Sequence, residues 1–522
     1  MTAMQEAFER PRDLPASPMK IMFVFLLGAF FEFLNQTLLN IALPHIMQDF
    51  DISASTAQWL VTSYLLVNGV LVPISAFLMH TYSTRTLFLT AMGAYFLGSL
   101  VAGFSPTFHV LLAGRILQAV GAGLMMPLMM AVFLTIFPPE QRGKAMGVMG
   151  LALILAPALG PTLSGWIVEY AHWRMLFFLF LPFILVDIFL AALWLGPIIP
   201  VTRPKWDPLG AFFAIVGFGS LLYGTSEAGT KGWGDAEVLA TIVLGGIFVG
   251  FFVLRSLTQD TPLLEFRVFR YPVFTLGLLI GSLATFAMYS AMVLLPIYLQ
   301  TIRGFTPLEA GLLLLPGSLV MGLLSPVAGA LFDRFGPRPL AFFGFLITLV
   351  TTYAFSHLTL ETTYEELIWL YTLRGIGLGF YMMPLMAVGM NYLPQSLQSH
   401  GTAMQNTIRM VAGSVGTSFL VTVMSQATNT HLGTSVDAFS GPARSEIFAQ
   451  VVHGMANLGV PVPLAQNVLG LQVLGTVQKA AFVAGINDAF RISFWILFVP
   501  LFLTFFLPRR ARPEVPPAEL SP

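Results

Sequence analysis

An all-α membrane protein is what the sequence predicts, and three observations predict it. The chain is too apolar to make a soluble globule, its apolar runs are long enough to cross a bilayer, and its first and last thirds repeat one another. Of 522 residues, 56% are hydrophobic and only 10% charged, so there is too little polar surface to coat a water-soluble core. Runs of about 18 or more apolar residues, the length a helix needs to cross roughly 30 Å of hydrocarbon, occur fourteen times. They cover approximately 20–46, 58–80, 86–105, 109–136, 144–169, 174–196, 209–227, 237–256, 272–300, 308–333, 338–357, 365–392, 401–425 and 489–507.

Composition also excludes functions. The 25 basic and 25 acidic residues cancel, so no global field points to nucleic acid. Cysteine is absent, which removes disulfides, thiol catalysis and thiolate metal sites. The glycine triplets GAG and GIGLG lie inside apolar spans and not after a strand, and Gly143-Lys144 lacks the upstream glycine of a phosphate loop. No HExxH and no nucleophile, base and orienter set is present, so neither an enzyme nor a metal or other cofactor is expected. The polar first 19 residues run into an apolar stretch too long for a signal-peptide core, so span 1 is read as retained.

Orientation follows from Lys and Arg, which favour cytoplasmic loops. With the N-terminus inside, sixteen of the 25 fall in cytoplasmic segments and six in external ones, while Arg115, Arg374 and Arg409 lie within spans. Both termini are therefore expected in the cytoplasm of a cell-membrane protein. The duplication is visible as LLAGRILQAVGAGLMMPLMM from Leu111 and WLYTLRGIGLGFYMMPLMAV from Trp369, each followed by a short loop, RGKAM or HGTAM. Spans 4 and 5 thus match spans 12 and 13, leaving six spans in each half and two between. The expected layout is a cytoplasmic tail (1–19), a six-helix bundle (20–200), two inserted helices (201–260), a second six-helix bundle (261–507) and a cytoplasmic tail (508–522). Inverted or parallel repeats of this kind are a device of secondary transporters. The long connection 426–488 in the second bundle is expected outside, as amphipathic helices at the surface that serve as a lid or as a packing element.

One residue stands out on cost. Glu32 sits in the apolar run FFEFLNQTLLNIALPHI, where an ionisable group costs roughly 2.5–3.5 kcal/mol and is by default functional. Two roles remain open: a carboxyl that loads and releases protons, or a neutral hydrogen-bonded strut. Asp187 in span 6 poses the same question, and Arg115 could either tune a nearby acid or act as a fixed hydrogen-bond hub. Met125, Met126, Met129, Met382, Met383, Phe33, Trp59, Tyr64, Tyr289 and Tyr381 could line an adaptable apolar pocket, though most such residues are ordinary packing.

Read together, these stretches resemble the major facilitator superfamily, and within it the fourteen-span drug:proton antiporters of the EmrB and QacA type. LNQTLLNIALPHI in span 1, Arg115 with Gln118 in span 4, APALGPTLSGW in span 5, HWRMLFFLFLP at span 6 and GALFDRFGPRP after span 10 carry the resemblance in the right order. It implies a major facilitator fold of fourteen helices, six, two and six, and proton-coupled export of amphipathic, cationic or aromatic compounds by alternating access. It implies proton coupling at Glu32, Asp187 and Arg115, and a substrate cavity including Asn35, Phe33, Trp59, Tyr64, Gln118, Met126, Tyr289, Tyr381, Met383 and Arg409. A cytoplasmic gate is implied at Gly329, Asp333, Arg334, Gly336 and Arg338, and the antiporter bend at Gly160, Pro161 and Gly165. Implied partners are the bilayer, small amphipathic drugs and protons, with a periplasmic adaptor if the source has two membranes, and a working monomer. Two departures matter: Asn35 holds the place of the family's acid, with Glu32 one turn earlier, and the loop after span 2 reads AFLMHTYSTR, with His80 and Thr81 where the gate motif has Asp and Arg. The alternatives are an exporter of an endogenous lipid or siderophore, and a receptor or scaffold that does not transport.

Overall fold

In the computed structural model, residues 16–52, 54–138, 141–202, 206–259, 261–439 and 461–510 are described, and among them all regular structure is helical. The helices follow the expected spans: α1 Pro18–Phe50, α2 Ala54–Thr81, α3 Thr84–Gly103, α4 Phe108–Ile136, α5 Arg142–Tyr170, α6 Leu181–Trp194 after the single turn Met175–Phe178, α7 Pro208–Lys231, α8 Ala236–Thr258, α9 Pro272–Ile297, α10 Pro307–Phe335, α11 Pro337–Phe355, α12 Tyr364–Asn391, α13 Gln398–Phe439 and α14 Val462–Leu503. Thirteen stretches among the described residues are long and apolar enough to span a membrane. Helix α5, 29 residues long, supplies the further span-length helix of the fourteen-helix layout.

Local chemistry sets the helix starts. Proline occupies the first turn of α1, α7, α9, α10, α11 and α14, where its missing N–H costs nothing. Ser83, Asp207, Asp235 and Thr363 cap their helices through side-chain oxygens, and Thr306 with Glu309 closes a reciprocal capping box. The turn between α10 and α11 needs Gly336, whose φ is +80° and whose missing side chain makes room for the Arg509 carbonyl.

Within the first half, α1 packs on α5 and α3 on α4; within the second, α12 packs on α10 and α11, and α13 on α14. The halves meet along two seams. On one, α5 and α10 run against each other through glycines: Gly143 and Gly329 abut backbone to backbone, a Cβ on Gly147 would strike Ser325 and Pro326, and Gly165 faces Leu308 at 4.0 Å. On the other, the inserted α7 fills the groove between α2 and α13. Gly69 of α2 packs on Leu222, Thr225 Oγ1 lies 2.7 Å from Ser414 Oγ, and Trp59 stacks on Tyr223 at 6.0 Å. Helix α8 packs on α7 through Gly217, Gly224 and Gly245, with most of its surface left outward.

The stretch 426–488 departs from the expectation of separate surface helices. Helix α13 and helix α14 each run 42 residues, so each continues about 30 Å beyond a hydrocarbon core as one uninterrupted rod. The two rods pack side by side, Gly485 against Met424 and Thr428, and His431 Nε2 lies 2.8 Å from Asp488 Oδ2. PLAQNVLGLQVLGTVQKAAFVAGINDAF is the leading part of α14 itself; its helical spacing carries straight into the span, so no break is needed. The segment EIFAQVVHGMANLG lies outside the described residues.

Candidate functional site

The first half holds a polar network at the centre of an apolar bundle. Arg115, 1% exposed, donates from Nη1 to Asn35 Oδ1 (2.7 Å) and Gln118 Oε1 (2.8 Å), and its Nε points to the Leu60 carbonyl at 3.4 Å. Its guanidinium lies over the Tyr64 ring, 4.4 Å from the centroid. Gln118 Nε2 donates to Ser99 Oγ at 2.7 Å, and the Tyr95 hydroxyl donates to the Phe31 carbonyl at 3.3 Å, so α1, α2, α3 and α4 are tied together.

Glu32 is 2% exposed and its Oε1 has no hydrogen-bond partner. Arg115 is held by Asn35, and among the described residues no ion pair joins it to a carboxylate. In this arrangement Arg115 is the hub of a hydrogen-bond network, with the Tyr64 ring packed on its guanidinium. Asp187 is fully buried, both its oxygens unpartnered, and Oδ2 would lie 2.8 Å from a Cβ on Gly28. Gly28 precedes Glu32 by one turn on the same face of α1, so the two acids lie at the same face of that helix. No group of acids and histidines that could hold a metal ion occurs among the described residues.

A cavity opens in the second half. A small, partly open cavity of about 30 Å³ lies between α9, α12 and α13, and its lining includes Met288, Tyr381, Met382, Met386, Gln405 and Arg409. Tyr381 stacks on Phe345 at 4.1 Å, and Gly413 gives way to the Tyr289 ring. The following expected cavity residues are not among the lining of this cavity. Asn35, Tyr64 and Gln118 belong to the Arg115 network, Met126 is 7% exposed in the core, Phe33 packs on that core, and Trp59 stacks on α7 at 42% exposure. Aromatic and methionine residues in apolar spans read alike from sequence whether they face a cavity, a neighbouring helix or a carboxamide network. The side chains of Met383 and Pro161 lie outside the described residues. Gln405 and Met386 were not anticipated; the polar pair Gln405 and Arg409, four apart, was the available signal.

At the end of the bundle where α1 begins and α14 ends, the halves are tied directly. The α5 N-terminus has no side-chain cap of its own, and Asp333 of α10 supplies one, accepting from Gly143 N and Lys144 N at 3.2 Å each. Arg142 Nη1 reaches Asn391 Oδ1 at 3.4 Å. On the other seam His80 and His400 stack, ring centroids 5.3 Å apart, where the degenerate loop motif follows α2. Of the remaining gate residues, Arg334 is exposed over Phe335, and Arg338 holds the chain's last helical turn through the Leu507 and Phe505 carbonyls. Helix α5 is continuous through the glycine and proline run; Gly160 lets Thr37 of α1 approach, and Ser164 Oγ donates to the Leu38 carbonyl at 2.6 Å. At the opposite end Arg174 pairs with Asp49 at 2.6 Å and donates to the Ser105 carbonyl, fixing the start of α6 against α1 and α3. Hydrogen bonding from Arg174 holds the Asp49 carboxyl below the usual carboxylate range.

Two repeated six-helix halves, sealed against each other at one end, with buried acids in one and a cavity in the other, define a secondary membrane transporter. The chain belongs to the major facilitator superfamily: that family's profile matches residues 25–417. It is 47% identical over 494 residues to YhcA, an MFS-type transporter of Bacillus subtilis, covering 94% of this chain and 93% of that one. It is 41% identical to the lincomycin resistance protein LmrB of Listeria monocytogenes (84% and 93% covered) and 27% identical to the multidrug export protein EmrB of Escherichia coli K12 (95% and 97%). Relatives named for lincomycin resistance and multidrug export are thus similar to this chain over most of its length. The human organic anion transporter MFSD10 shares the fold, with a TM-score of 0.61 over 93% of this chain and 99% of that one at 14% identity.

Proposed function

We propose that this transporter is a proton-coupled exporter of amphipathic compounds, a drug/proton antiporter of the cell membrane with both termini in the cytoplasm. The observation that carries the proposal is Glu32, a carboxyl buried to 2% with an unpartnered oxygen, beside a second buried acid. Such a group is stable there only if it is neutral or briefly charged, which is what proton loading on one side and release on the other requires. Relatives named for multidrug export and lincomycin resistance support the same direction. The inner end is sealed by Asp333 on α5 and by the histidine stack, a closed cytoplasmic side in an alternating-access cycle. One proton moving down about 100 mV supplies about 2.3 kcal/mol, enough for a roughly fortyfold gradient. No cofactor enters this reading, and a monomer in the bilayer suffices, with an adaptor only where a second membrane must be crossed.

The test is uptake of amphipathic dyes, cationic, neutral and anionic, into everted vesicles under an imposed pH gradient. Wild type accumulates at least one dye, and Glu32→Gln loses the dependence on the gradient. Proton-driven uptake unchanged in Glu32→Gln would remove Glu32 as the coupling group.

A further inference from the structure

We propose that the cavity between α9, α12 and α13 is a docking site for the acidic group of an amphipathic anion, a carboxylate or sulfonate, and that Arg409 binds it. The inference rests on the reading of the protein as an exporter and names its substrate class. Among the described lining residues no carboxylate is present to pair with a cationic substrate, and the one charged side chain is Arg409. The arginine's own bonds leave that charge uncompensated. Nη2 donates to Asn406 Oδ1 at 2.9 Å and Nη1 points to Met386 Sδ at 3.8 Å, both neutral, which leaves donors of its five for a ligand. A guanidinium away from water gains most from an anion that can accept two parallel bonds.

The three arginines that lie within spans, Arg115, Arg374 and the half-buried Arg409, separate by this criterion. Arg115 is enclosed by Asn35, Gln118, Leu60 and Tyr64, and Arg374, fully buried, donates to the Thr352 and Ser290 hydroxyls. Arg409 alone of these reaches the described cavity. It is the twelfth residue of α13, about 16 Å from the helix start and so near the middle of a roughly 30 Å hydrocarbon layer. One turn before it, the buried Gln405 Oε1 has no partner and can accept from a substrate hydroxyl or amide. Met288, Met386, Leu385 and the Tyr381 ring supply the apolar wall that an amphiphile needs. The substrate is thus an apolar or aromatic body with one acidic group and a neighbouring donor. A proton entering while such an anion leaves moves charge twice in the direction that an inside-negative potential favours, so export is electrogenic.

The experiment uses the purified full chain in liposomes, with a carboxylated fluorescein dye as the anion and ethidium as the cation. Wild type is expected to transport the anion, faster under a valinomycin-imposed potential. Arg409→Gln is expected to raise its KM about tenfold or more, while Arg409→Lys, which keeps the charge but not the fork, gives an intermediate value. Ser282→Asp places a carboxylate on the same lining and guards against misfolding of the arginine variants; it should lower anion affinity and raise that for ethidium. Ethidium transport with no anion transport by wild type would overturn the proposal and leave the export reading standing. An unchanged anion KM in Arg409→Gln, or an unchanged preference in Ser282→Asp, would overturn it likewise. Failure of wild type to move either dye removes the export reading and this proposal together.

Discussion

Removing the Asp333 carboxylate should unlatch the inner end of the transporter. In the closed arrangement this side chain of α10 accepts two backbone N–H groups, Gly143 and Lys144, at 3.2 Å each, and among the described residues it caps α5 where Gln141 at that helix start makes no cap bond. Losing a helix cap costs roughly 0.5–2 kcal/mol, and an anion on the helix dipole contributes part of that, about 0.3–1 kcal/mol. Because the two partners sit on different halves, the loss falls on the closed state and hardly at all on the open one. A loss of about 1.4 kcal/mol shifts the balance between the two about tenfold toward the inward-open state. The natural absence of cysteine makes the assay direct: spin labels at Arg85→Cys and Phe335→Cys, both exposed at that end, report the separation of the halves. Asp333→Ala is expected to enrich the longer distance about tenfold, and Asp333→Asn, which keeps an acceptor oxygen, to enrich it less. A distance distribution identical to that of the unsubstituted gate would refute the assignment of Asp333 as a latch.

Three further outcomes are expected. In a Glu32→Gln background, Asn35→Asp places a carboxylate 2.7 Å from Arg115 Nη1, within the same network, and should restore part of the proton-driven transport; a double variant as inactive as Glu32→Gln alone would contradict this. Gly329→Val drives a side chain into the Gly143 carbonyl and should destabilise the α5 and α10 seam by roughly 1–3 kcal/mol, read as a lower unfolding temperature in detergent; an unchanged temperature would mean the seam is not close-packed. Asp207 caps α7 and pairs with Arg255 at 2.8 Å; burial pushes its carboxyl up, but the bonds from Arg255 and the Gly210 N–H outweigh that and hold it below the ordinary value of about 3.9. Its contribution is therefore complete above about pH 4 and disappears as pH falls through the lower folded value, so the gap in unfolding temperature between wild type and Asp207→Asn should be constant from pH 7 to 5 and close below pH 4. A gap that already closes near pH 6 would assign the effect to another group.

The buried acids were legible because their cost is local: a carboxyl in an apolar span is anomalous whatever surrounds it, and Glu32 and Asp187 both proved buried and unpartnered. Arg115 with Gln118 was legible as a pair for the same reason, one turn apart on one helix. Their partners were not. That Asn35 occupies the arginine, that Gly28 makes room for Asp187, and that Ser99 ends the chain of hydrogen bonds are contacts between helices, and no periodicity within one helix specifies them. The aromatic residues diverge on the same ground: Trp59, Tyr64 and Tyr381 read alike in sequence and face, respectively, an inserted helix, a guanidinium and the described cavity.

By itself, then, the sequence determined the class, the number of spans, their duplication and the residues too costly to be incidental, because hydrophobic length and the desolvation of charge are properties of single segments. Tertiary structure decided the rest: that α7 closes the seam between the halves, that α13 and α14 continue far beyond the membrane as paired rods, and that the charge presented to the cavity is the cation Arg409. Each of these depends on which helix face meets which neighbour, and in an apolar bundle that choice is made by glycines, hydroxyls and close packing whose energies exist only once the helices are in contact.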